Sequence, residues 1–504
     1  MVKNFYAGPT WLYGKVAEII NPVMCNVELH DERVVRRHID QIRKYTTEES
    51  ALPQPTQEFQ PPEDPLVGLP IEAPGMTGEL LDEAPAGEAP SSAAPSDRNV
   101  EEIPSPTDTD MPELAVNLRR DWVWAQCHET SNREDNLDSF TVMNYNILAD
   151  CHVKEDWYPY CPRDCFKMAD RHRQLMAEIR YHKPGVICVQ EVGIDYFNGQ
   201  LNPAMATLGY LGSFFCKVKG VQEGEATFYQ RERFHKVEEH FVLFYELVKQ
   251  ECQKANLSQS LQERVLAYTD REHLVILTKL QDACTKRIVS IGNTHLLFDD
   301  FKNMDIISLQ AGLAINALIE FAGGIHQPHI LCGDFNQEPN MTGYQLLHDG
   351  KLNADGEKLM REYTIEKDEL QENLLDIMPW CFQHPSTSLQ SAYKAVLGHE
   401  VSFSCFEEYS GAGWSPKKNH EPVENGTGEG RVRPRKVYSN DPSEYGSGLY
   451  IATLDYQWFS SSSLRCNAVL DMVWEEDLLQ LYACPNQFFP SDHLLQLTRY
   501  EFIV

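Results

Sequence analysis

Short polar motifs recur along this chain, and each directly follows an apolar run of the kind that forms buried β-strands. A strand that is apolar throughout is packed against other elements on both of its faces. Polar side chains at its end mark the point where this packing ends and a polar environment begins. The arrangement therefore predicts packed sheets whose strand ends share one polar site. The motifs are NYNILAD (Asn144–Asp150), VQEV (Val189–Val192), GNTHLLF (Gly292–Phe298), CGDFNQEPN (Cys332–Asn340), LDYQW (Leu454–Trp458) and PSDHLL (Pro490–Leu495).

Three segments of the chain differ in composition. Residues 47–112 are rich in Pro, Glu, Ala and Ser, which predicts a disordered linker. Residues 1–46 contain short β-prone runs broken by turn residues, which predicts a small β fragment. Residues 113–504 carry the polar motifs and are the predicted catalytic domain.

The formal net charge of −31 argues against a chain that binds polyanions through its average electrostatic field. A phosphodiester substrate would need a local basic rim and a divalent cation to offset its phosphates. The charge therefore weighs against a tight, processive nucleic-acid binder but leaves phosphodiester chemistry open.

The cysteine pattern and hydropathy predict where the protein works. The 14 cysteines are scattered without paired CxxC spacing, which predicts reduced thiols in an intracellular protein. No run of 18 apolar residues occurs, so no membrane partner is expected. The expected location is the cytoplasm, with the nucleus as the alternative.

The first segment resembles the tail of integrases from gypsy-type retrotransposons, over about 40 residues. The interpretation we favour is a retroelement remnant joined to an unrelated host sequence or introduced by a gene-model error. A functional DNA-tethering arm is the alternative. The residues that carry the resemblance are Gly8, Pro9, Trp11, Gly14, Val16, Arg36, Arg37, His38, Asp40 and Arg43.

Strand-like runs alternate with helical periodicity in the third segment. Arg163–Tyr181 and Met304–Phe321 show apolar spacing of three and four and predict helices, and a helical insert is expected at Val242–Glu263. Gly411–Gly448, rich in Gly, Pro and charge, predicts a long surface insertion. Because hairpin-like strand pairs also occur, the predicted fold class is α/β, with two packed mixed sheets flanked by helices.

Two motifs carry candidate metal ligands. Glu191 follows the buried run VICVQ, and carboxylate oxygen is the ligand that Mg²⁺ or Mn²⁺ prefers. Asn146 ends the first strand of the domain and is a candidate support for a metal-bound water or a second metal. An Asn before a turn is by itself usually a cap, so its assignment depends on the whole set.

Asp334 and Asn336 follow the apolar strand HILCG. Their spacing of two predicts side chains on one face of the strand. Asp334 is the candidate base that orients and deprotonates an attacking water, and Asn336 is the candidate hydrogen-bond donor to the developing phosphorane charge. The alternative for Asn336 is an Asx-turn before Pro339.

Taken in order, the motifs resemble the endonuclease/exonuclease/phosphatase superfamily. Within it they resemble the RNA-processing branch, which includes carbon-catabolite-repressor deadenylases, Angel proteins, nocturnin and 2′,5′-phosphodiesterase. GKLNADG and SLQSAY are most similar to the Angel or deadenylase arrangement, whereas EGEATFY is closer to the 2′,5′-phosphodiesterase version. The resemblance implies a four-layer sandwich of two mixed sheets between helices and a Mg²⁺ cofactor, with Mn²⁺ as a substitute.

The resemblance also implies roles for four further residues. His493 pairs with Asp455 and contacts the scissile phosphate, and His295 donates to a non-bridging oxygen. Asp492 is a further candidate metal ligand. A lone His at a strand end is more often structural, so these roles depend on the order of the motifs.

Three residues are candidate substrate-binding groups. Asn293 either contacts the substrate or fixes its own loop. Phe228 and Tyr229 either offer a stacking surface to a base or belong to the core.

The leading functional hypothesis is a Mg²⁺-dependent phosphodiesterase that acts on RNA 3′ ends, a 3′–5′ exoribonuclease of the deadenylase or Angel type. The alternatives with the same residues are cleavage of 2′,5′-oligoadenylate, removal of a 2′,3′-cyclic phosphate and removal of a dinucleotide 2′-phosphate. A silent scaffold that binds RNA or a translation factor is the non-enzyme alternative. The expected partners are RNA, including poly(A), and a translation or mRNA-decay factor, and the oligomeric state is not predicted.

Overall fold

A computed structural model separates the chain into two compact units, Met1–Ser105 and Pro106–Val504. The linker prediction and most of the predicted surface insertion lie outside the described residues. Besides the five strands of the first unit, the structure describes residues 120–125, 137–155, 157–158, 160–217, 222–298, 303–362, 370, 372–409, 448–473, 478 and 483–503.

The first unit contains a two-stranded antiparallel sheet, β1–β2, and a three-stranded antiparallel sheet, β3–β4–β5. These strands fall in the segment predicted to be a small β fragment, whereas its resemblance to an integrase tail stays a prediction. The strands are β1 (Val2–Lys3), β2 (Trp11–Leu12), β3 (Gly14–Asn21), β4 (Met24–Leu29) and β5 (Val34–His38).

The second unit is built on two large sheets. Its strands are β6 (Trp122–Trp124), β7 (Ser139–Asn146), β8 (Val186–Gly193), β9 (Tyr210–Cys216), β10 (Glu223–Gln230), β11 (Phe234–Leu243), β12 (Leu274–Asp282), β13 (Ile288–His295), β14 (His329–Asp334), β15 (Leu389–Ser391), β16 (Cys405–Tyr409), β17 (Gly448–Ala452), β18 (Asp455–Ser460), β19 (Leu464–Leu470) and β20 (Gln496–Phe502).

Sheet one has seven strands in the order β6-β19-β20-β7-β8-β10-β9, and sheet two has six in the order β11-β12-β13-β14-β18-β15. Most neighbours are antiparallel, but β7 pairs with β8 and β13 pairs with β14 in parallel. Strands β16 and β17 form a separate hairpin-like pair. Both large sheets are therefore mixed.

Helices cover the outer faces of both sheets. Buried residues of α1 pack on sheet one, and those of α4 and α6 pack on sheet two. The helices are α1 (Met168–His182), α2 (Ile194–Tyr196), α3 (Asn202–Thr207), α4 (Phe244–Lys254), α5 (Gln259–Thr269), α6 (Met304–Ala322), α7 (Thr342–Asp349), α8 (Ala354–Glu362), α9 (Leu374–Ile377) and α10 (Ala392–Leu397), with 3₁₀ turns at Arg163–Phe166 and Pro379–Phe382 and a π-turn at Phe197–Leu201.

The strand alternation of β8 shows how the layers are built. Val186 and Cys188 face the core between the two sheets, whereas Ile187 and Val189 face the helix layer that contains α1. Successive side chains of a strand point to opposite faces, so a strand that is apolar on both faces must be covered twice. This confirms the predicted α/β sandwich of two mixed sheets flanked by helices.

Helix α6 is long and apolar enough to cross a membrane by length and composition, and among the described helices it is the one that passes this test. Within its most apolar window 78% of the residues are buried inside the protein. Its side chains pack against sheet two and α4, which accounts for its composition. The helical insert predicted at Val242–Glu263 consists of two helices, α4 and α5. Residues 255–258 form the turn between them.

Candidate active site

The interior faces of four strands change from apolar to polar at one end of the sandwich. Parallel pairing of β7 with β8 and of β13 with β14 brings the carboxyl ends of each pair together. Each of these strands has a row of side chains that faces the interior, and each row ends in a polar group. The polar ends of the four rows therefore lie at the same end of the sandwich. The rows are Val142, Asn144 and Asn146 in β7; Val186, Cys188 and Gln190 in β8; Ile291, Asn293 and His295 in β13; and Ile330, Cys332 and Asp334 in β14.

Asn146 joins the two sheets across this polar end. Its Nδ2 donates to Glu191 Oε1 at 2.8 Å and to Asp334 Oδ2 at 3.0 Å, and its Oδ1 accepts from the backbone N–H of Leu148 at 3.0 Å. The second oxygen of Glu191 accepts from the backbone N–H of Ala149 at 3.1 Å. Three predicted site residues from three strands are thus in direct contact.

His493 lies between two carboxylates. Its Nδ1 is 2.8 Å from Asp455 Oδ2, and its Nε2 is 3.5 Å from Asp334 Oδ2. Ser404 donates to the same Asp455 oxygen at 2.6 Å and so fixes the carboxylate that orients the imidazole. Both members of the pair are buried, with Asp455 1% and His493 6% exposed.

His295 and Asn336 lie on the other side of Asp334. The Nε2 of His295 is 3.6 Å from Asp334 Oδ2 and 3.2 Å from Asn336 Nδ2. Strand β14 ends at Asp334, and the backbone N–H of Asn336 donates to Asp334 Oδ1 at 3.0 Å. A turn, and not a shared strand face as predicted from the spacing, therefore brings Asn336 to the site.

The backbone at the site is strained in three places. Glu191, Asn336 and Leu148 have φ of 55°, 47° and 57°, a region that residues other than glycine rarely adopt. Such conformations persist where the surroundings impose them, and they cluster at functional sites. Gly333 has no room for a side chain, because a Cβ there would lie 2.1 Å from the carbonyl oxygen of Thr294.

His295 has a donor group beside each of its ring nitrogens. The Lys217 Nζ is 3.5 Å from His295 Nδ1 and 2.8 Å from Glu223 Oε1, and Asn336 Nδ2 is 3.2 Å from His295 Nε2. Ammonium and amide nitrogens only donate and a neutral imidazole has one acceptor nitrogen, so His295 accepts from one of the two neighbours and not from both. Burial and then Lys217 hold the pKa of His295 well below its usual value. A neutral His295 and the side-chain amide of Asn336 therefore lie together beside Asp334.

The pKa values of Asp334 and His493 are both raised. Burial raises the pKa of Asp334 to about 7, which His493 opposes and Asp455 reinforces. Burial lowers the pKa of His493, but Asp455 and Asp334 raise it more, so it lies well above its usual value. The arrangement suits a carboxylate that accepts a proton near neutral pH beside a histidine that stays charged.

Two groups of side chains meet the geometry of a metal site in the described part of the chain. The ligand atoms of Asp334, Asp455 and His493 lie within 4.8 Å of one another. His493 uses Nδ1 in its bond to Asp455, and the second oxygen of Asp455, Oδ1, has no hydrogen-bond donor among the described residues. The close pairing of an imidazole with two carboxylates suits proton transfer.

The second group, His152, Glu191 and Glu223, also lies within 4.8 Å. Burial raises the pKa of Glu191, and the neighbouring carboxylate of Glu223 raises it further. Within the described residues, the buried Oε2 of Glu223 has no hydrogen-bond donor. Neighbouring carboxylates with a buried oxygen that lacks a donor fit a divalent cation.

Asp492, the further predicted metal ligand, lies beside this group. Its Oδ2 accepts from Tyr158 at 2.9 Å, and its Oδ1 accepts from Ser491 at 3.1 Å. Ser491 also donates to the backbone carbonyl of Asn146 at 2.8 Å. The Ser-Asp-His motif is therefore anchored on the end of β7, which places His493.

The three candidate substrate-binding residues lie in the interior. Phe228 is 1% exposed and Tyr229 is 6% exposed, and they belong to the cores on opposite faces of sheet one, so neither ring offers a face to a base. Asn293 is fully buried, accepts from Gln190 at 2.7 Å and donates to the carbonyl of Ala226 at 2.9 Å. It holds the two sheets together one layer below His295.

Sequence reasoning did not single out four residues that shape the site. Ser404, Lys217 and Glu223 contact predicted site residues, and Arg171 donates to the carbonyls of Ile147, Leu148 and Pro490 and so ties two motif loops together. A basic residue on the buried face of α1 is the one sequence signal that could have indicated such a clamp, because unpaired buried arginines are rare.

Comparisons with known proteins agree with this geometry. Residues 165–493 match the model of the endonuclease/exonuclease/phosphatase family. The chain is 24% identical over 391 residues to the carbon catabolite repressor protein 4 homolog 1 of Arabidopsis thaliana, covering 74% of this chain and 59% of that protein. It is 30% identical over 270 residues to the 2′,5′-phosphodiesterase 12 of Bos taurus, covering 51% of this chain and 42% of that protein.

A solved structure has the same fold. ANGEL2, a 2′,3′-cyclic phosphatase in complex with adenosine-2′,3′-vanadate, superimposes with a TM-score of 0.54 at 22% identity, over 77% of this chain and 99% of that chain. The chain spans about half the length of the curated relatives it matches. The match covers most of the second unit and includes every motif from Glu191 to His493, so the chain belongs to the endonuclease/exonuclease/phosphatase family.

Proposed function

We propose that this protein is a divalent-metal-dependent phosphodiesterase that acts on the 3′ ends of RNA, as a 3′–5′ exoribonuclease of the deadenylase or Angel type. Mg²⁺ is the proposed activating ion, with Mn²⁺ as a substitute. RNA, including poly(A), is the proposed substrate, and the relatives named as 3′-5′-exoribonuclease subunits support RNA as the substrate class.

The observation that supports the proposal is that three side-chain nitrogen atoms lie around one carboxylate oxygen of Asp334. Asp334 Oδ2 lies 3.0 Å from Asn146 Nδ2, 3.5 Å from His493 Nε2 and 3.6 Å from His295 Nε2. Cleavage of a phosphodiester needs a base for the water and donors for the phosphate oxygens, and this geometry supplies both around one point.

The residues divide the work as follows. Asp334 orients the attacking water and takes its proton, and the charged His493, held by Asp455, contacts the scissile phosphate. His295 and Asn336 donate to non-bridging oxygens as negative charge develops on them. Glu191 would hold a divalent cation and Asn146 would support its water shell, and the bound cation would supply neutralisation of phosphate charge.

The test is cleavage by the purified full chain of adenylate oligomers with 3′,5′ linkages, with Mg²⁺ and with excess chelator. We expect stepwise shortening from the 3′ end with Mg²⁺ and none with chelator. Asp334→Asn should slow it about 10²-fold or more, whereas Asp355→Asn, at an exposed carboxylate on α8, should not slow it. Full activity in chelator, or no shortening of any RNA, would contradict the proposal.

A second candidate is cleavage of 2′,5′-linked oligoadenylate. The higher identity to a protein named 2′,5′-phosphodiesterase 12, and the EGEATFY motif of β10, favour it. The same assay with 2′,5′-linked trimers, and with RNA that ends in a 2′,3′-cyclic phosphate, decides among the linkages by relative kcat/KM.

The proposed partner beyond RNA is a translation or mRNA-decay factor, supported by relatives named as subunits of the CCR4-Not complex. The proposed location is the cytoplasm, with the nucleus as the alternative. Cell fractionation and copurification with tagged protein test both.

A further inference from the structure

One side chain beside the site has no part in the proposed chemistry. His152 lies after the end of β7, with 39% of its side chain exposed, and its Nε2 is 3.6 Å from Glu223 Oε1. One atom each of His152, Glu191 and Glu223 lies within 4.8 Å of the other two, a spacing that ligands of one metal ion adopt. An imidazole is thus added to two carboxylates.

Glu223 is held so that one oxygen is available to an ion. Its side chain is 4% exposed, Lys217 occupies Oε1 at 2.8 Å, and Oε2 has no donor among the described residues. The register of β10 against β8 shifts between Gly224 and Ala226. Such a bulge re-aims neighbouring side chains, and it lies directly next to Glu223.

This place carries an excess of negative charge. Glu191, Glu223 and the neighbouring Asp492 bring three carboxylates, and the ammonium of Lys217 offsets one of them. A divalent cation would offset the other two. The half-exposed His152 lies on the solvent side, where an ion can enter.

We propose that His152 and Glu223 complete, with Glu191, a mixed nitrogen and oxygen site that binds Mn²⁺ more tightly than Mg²⁺. Mg²⁺ is selected by oxygen ligands and water, whereas imidazole adds affinity for first-row transition ions. The inference rests on the proposed function only because Glu191 is a metal ligand in both. It adds the selectivity of the site and two ligands of this chain's own.

The test measures metal binding without RNA. Mn²⁺ is titrated into the metal-free full chain and followed by electron paramagnetic resonance, and Mg²⁺ is then added as competitor. We expect one tightly bound Mn²⁺ that Mg²⁺ displaces only in large excess. Spin-echo modulation of the Mn²⁺-loaded protein should show coupling to a directly bonded imidazole nitrogen.

His152→Ala should lose the nitrogen coupling and weaken Mn²⁺ binding about tenfold or more, while Mg²⁺ affinity stays within about twofold. His235→Ala, at an exposed histidine on β11, is the matched control and should change neither quantity. Glu223→Gln should also weaken Mn²⁺, and its melting temperature is measured because Lys217 loses a charged partner.

The outcomes separate the two proposals. Equal Mn²⁺ affinity in wild type and His152→Ala, or a bound Mn²⁺ without nitrogen coupling, overturns the inference even if RNA is cleaved with Mg²⁺. Nitrogen coupling that disappears in His152→Ala supports the inference even if no RNA is cleaved, in which case the proposed function fails alone.

Discussion

The pair Asp455 and His493 allows orientation and charge to be separated in one substitution. Asp455→Asn keeps an oxygen that can accept from His493 Nδ1, now at 2.8 Å, and from Ser404, now at 2.6 Å. It removes the negative charge that raises the pKa of His493 most strongly against the effect of burial. The ring should therefore stay in place and lose its charge more readily.

The size of the effect follows from the contact. Two unit charges 2.8 Å apart attract by about 6 kcal/mol at an effective dielectric of about 20, which is an upper limit. A hydrogen bond to a charged group contributes about 1.5–3 kcal/mol. If about 3 kcal/mol acts in the transition state, the rate falls about 10²-fold.

The assay is single-turnover cleavage of a 5′-labelled RNA between pH 6 and 9, with RNA affinity measured by fluorescence anisotropy. Because Asp455 holds the pKa of His493 high, wild type keeps the imidazolium to high pH, and Asp455→Asn should lose rate at a lower pH. RNA affinity should change little. Ser404→Ala removes one hydrogen bond and leaves the charge, so it should cost less than about tenfold.

Two results would refute the reasoning. Asp455→Asn with wild-type rate and an unshifted basic limb would mean that the charge on His493 has no role. Equal losses in Asp455→Asn and Ser404→Ala would mean that position, and not charge, is what the pair provides.

Glu191→Ala should abolish turnover at saturating Mg²⁺ without lowering the melting temperature, measured by calorimetry; residual activity that Mg²⁺ still stimulates would contradict the metal assignment. Deleting residues 1–112 should leave kcat unchanged, and a loss above about tenfold, roughly 1.4 kcal/mol, would show that this segment takes part in the site. Asp334→Asn and His493→Ala should each cost about 10²-fold or more in rate, and the double variant far less than the product of the two losses, because both residues act on one step. Glu178→Gln should stabilise the fold at pH 8. Burial raises the pKa of Glu178 to about 7 from 4.5, so stability that is present below pH 4.5 is lost as the pH rises through 7, by about 3 kcal/mol. Urea denaturation at pH 4.5 and pH 8 should show a gain for the variant at pH 8 only.

Local sequence determined the layers and the end of the sandwich that carries the site. Apolar runs such as VICV and HILC require cover on both faces, and each turns polar at a definite residue, as at Glu191 and Asp334. These signals are carried by period and composition within one strand, so no knowledge of the partner strand is needed. The fold class, Asn146, Glu191 and Asp334 follow from them.

Which polar strand residue faces the site and which faces a neighbour was decided only by the tertiary structure. Asn293 and His295 share one face of β13 and one motif, yet Asn293 lies one layer deeper with all its bonds made inside the protein. Phe228 and Tyr229 are buried on both faces of β10, because that strand lies inside sheet one and is covered twice. Alternation cannot separate site from core when both faces are buried.

The residues that support the site could be identified only from the tertiary structure, because they are far along the chain from the residues that they contact. Ser404 reaches Asp455 across 51 residues, Lys217 reaches His295 across 78, and Arg171 reaches the carbonyl of Pro490 across 319. None of the three lies in a motif with a local signature, since a hydroxyl, an ammonium and a guanidinium are ordinary surface groups until folding buries them beside a charge. The sequence therefore determined the candidate groups for the chemistry, and only the packing of distant segments decided which side chains hold them in their charge states and orientations.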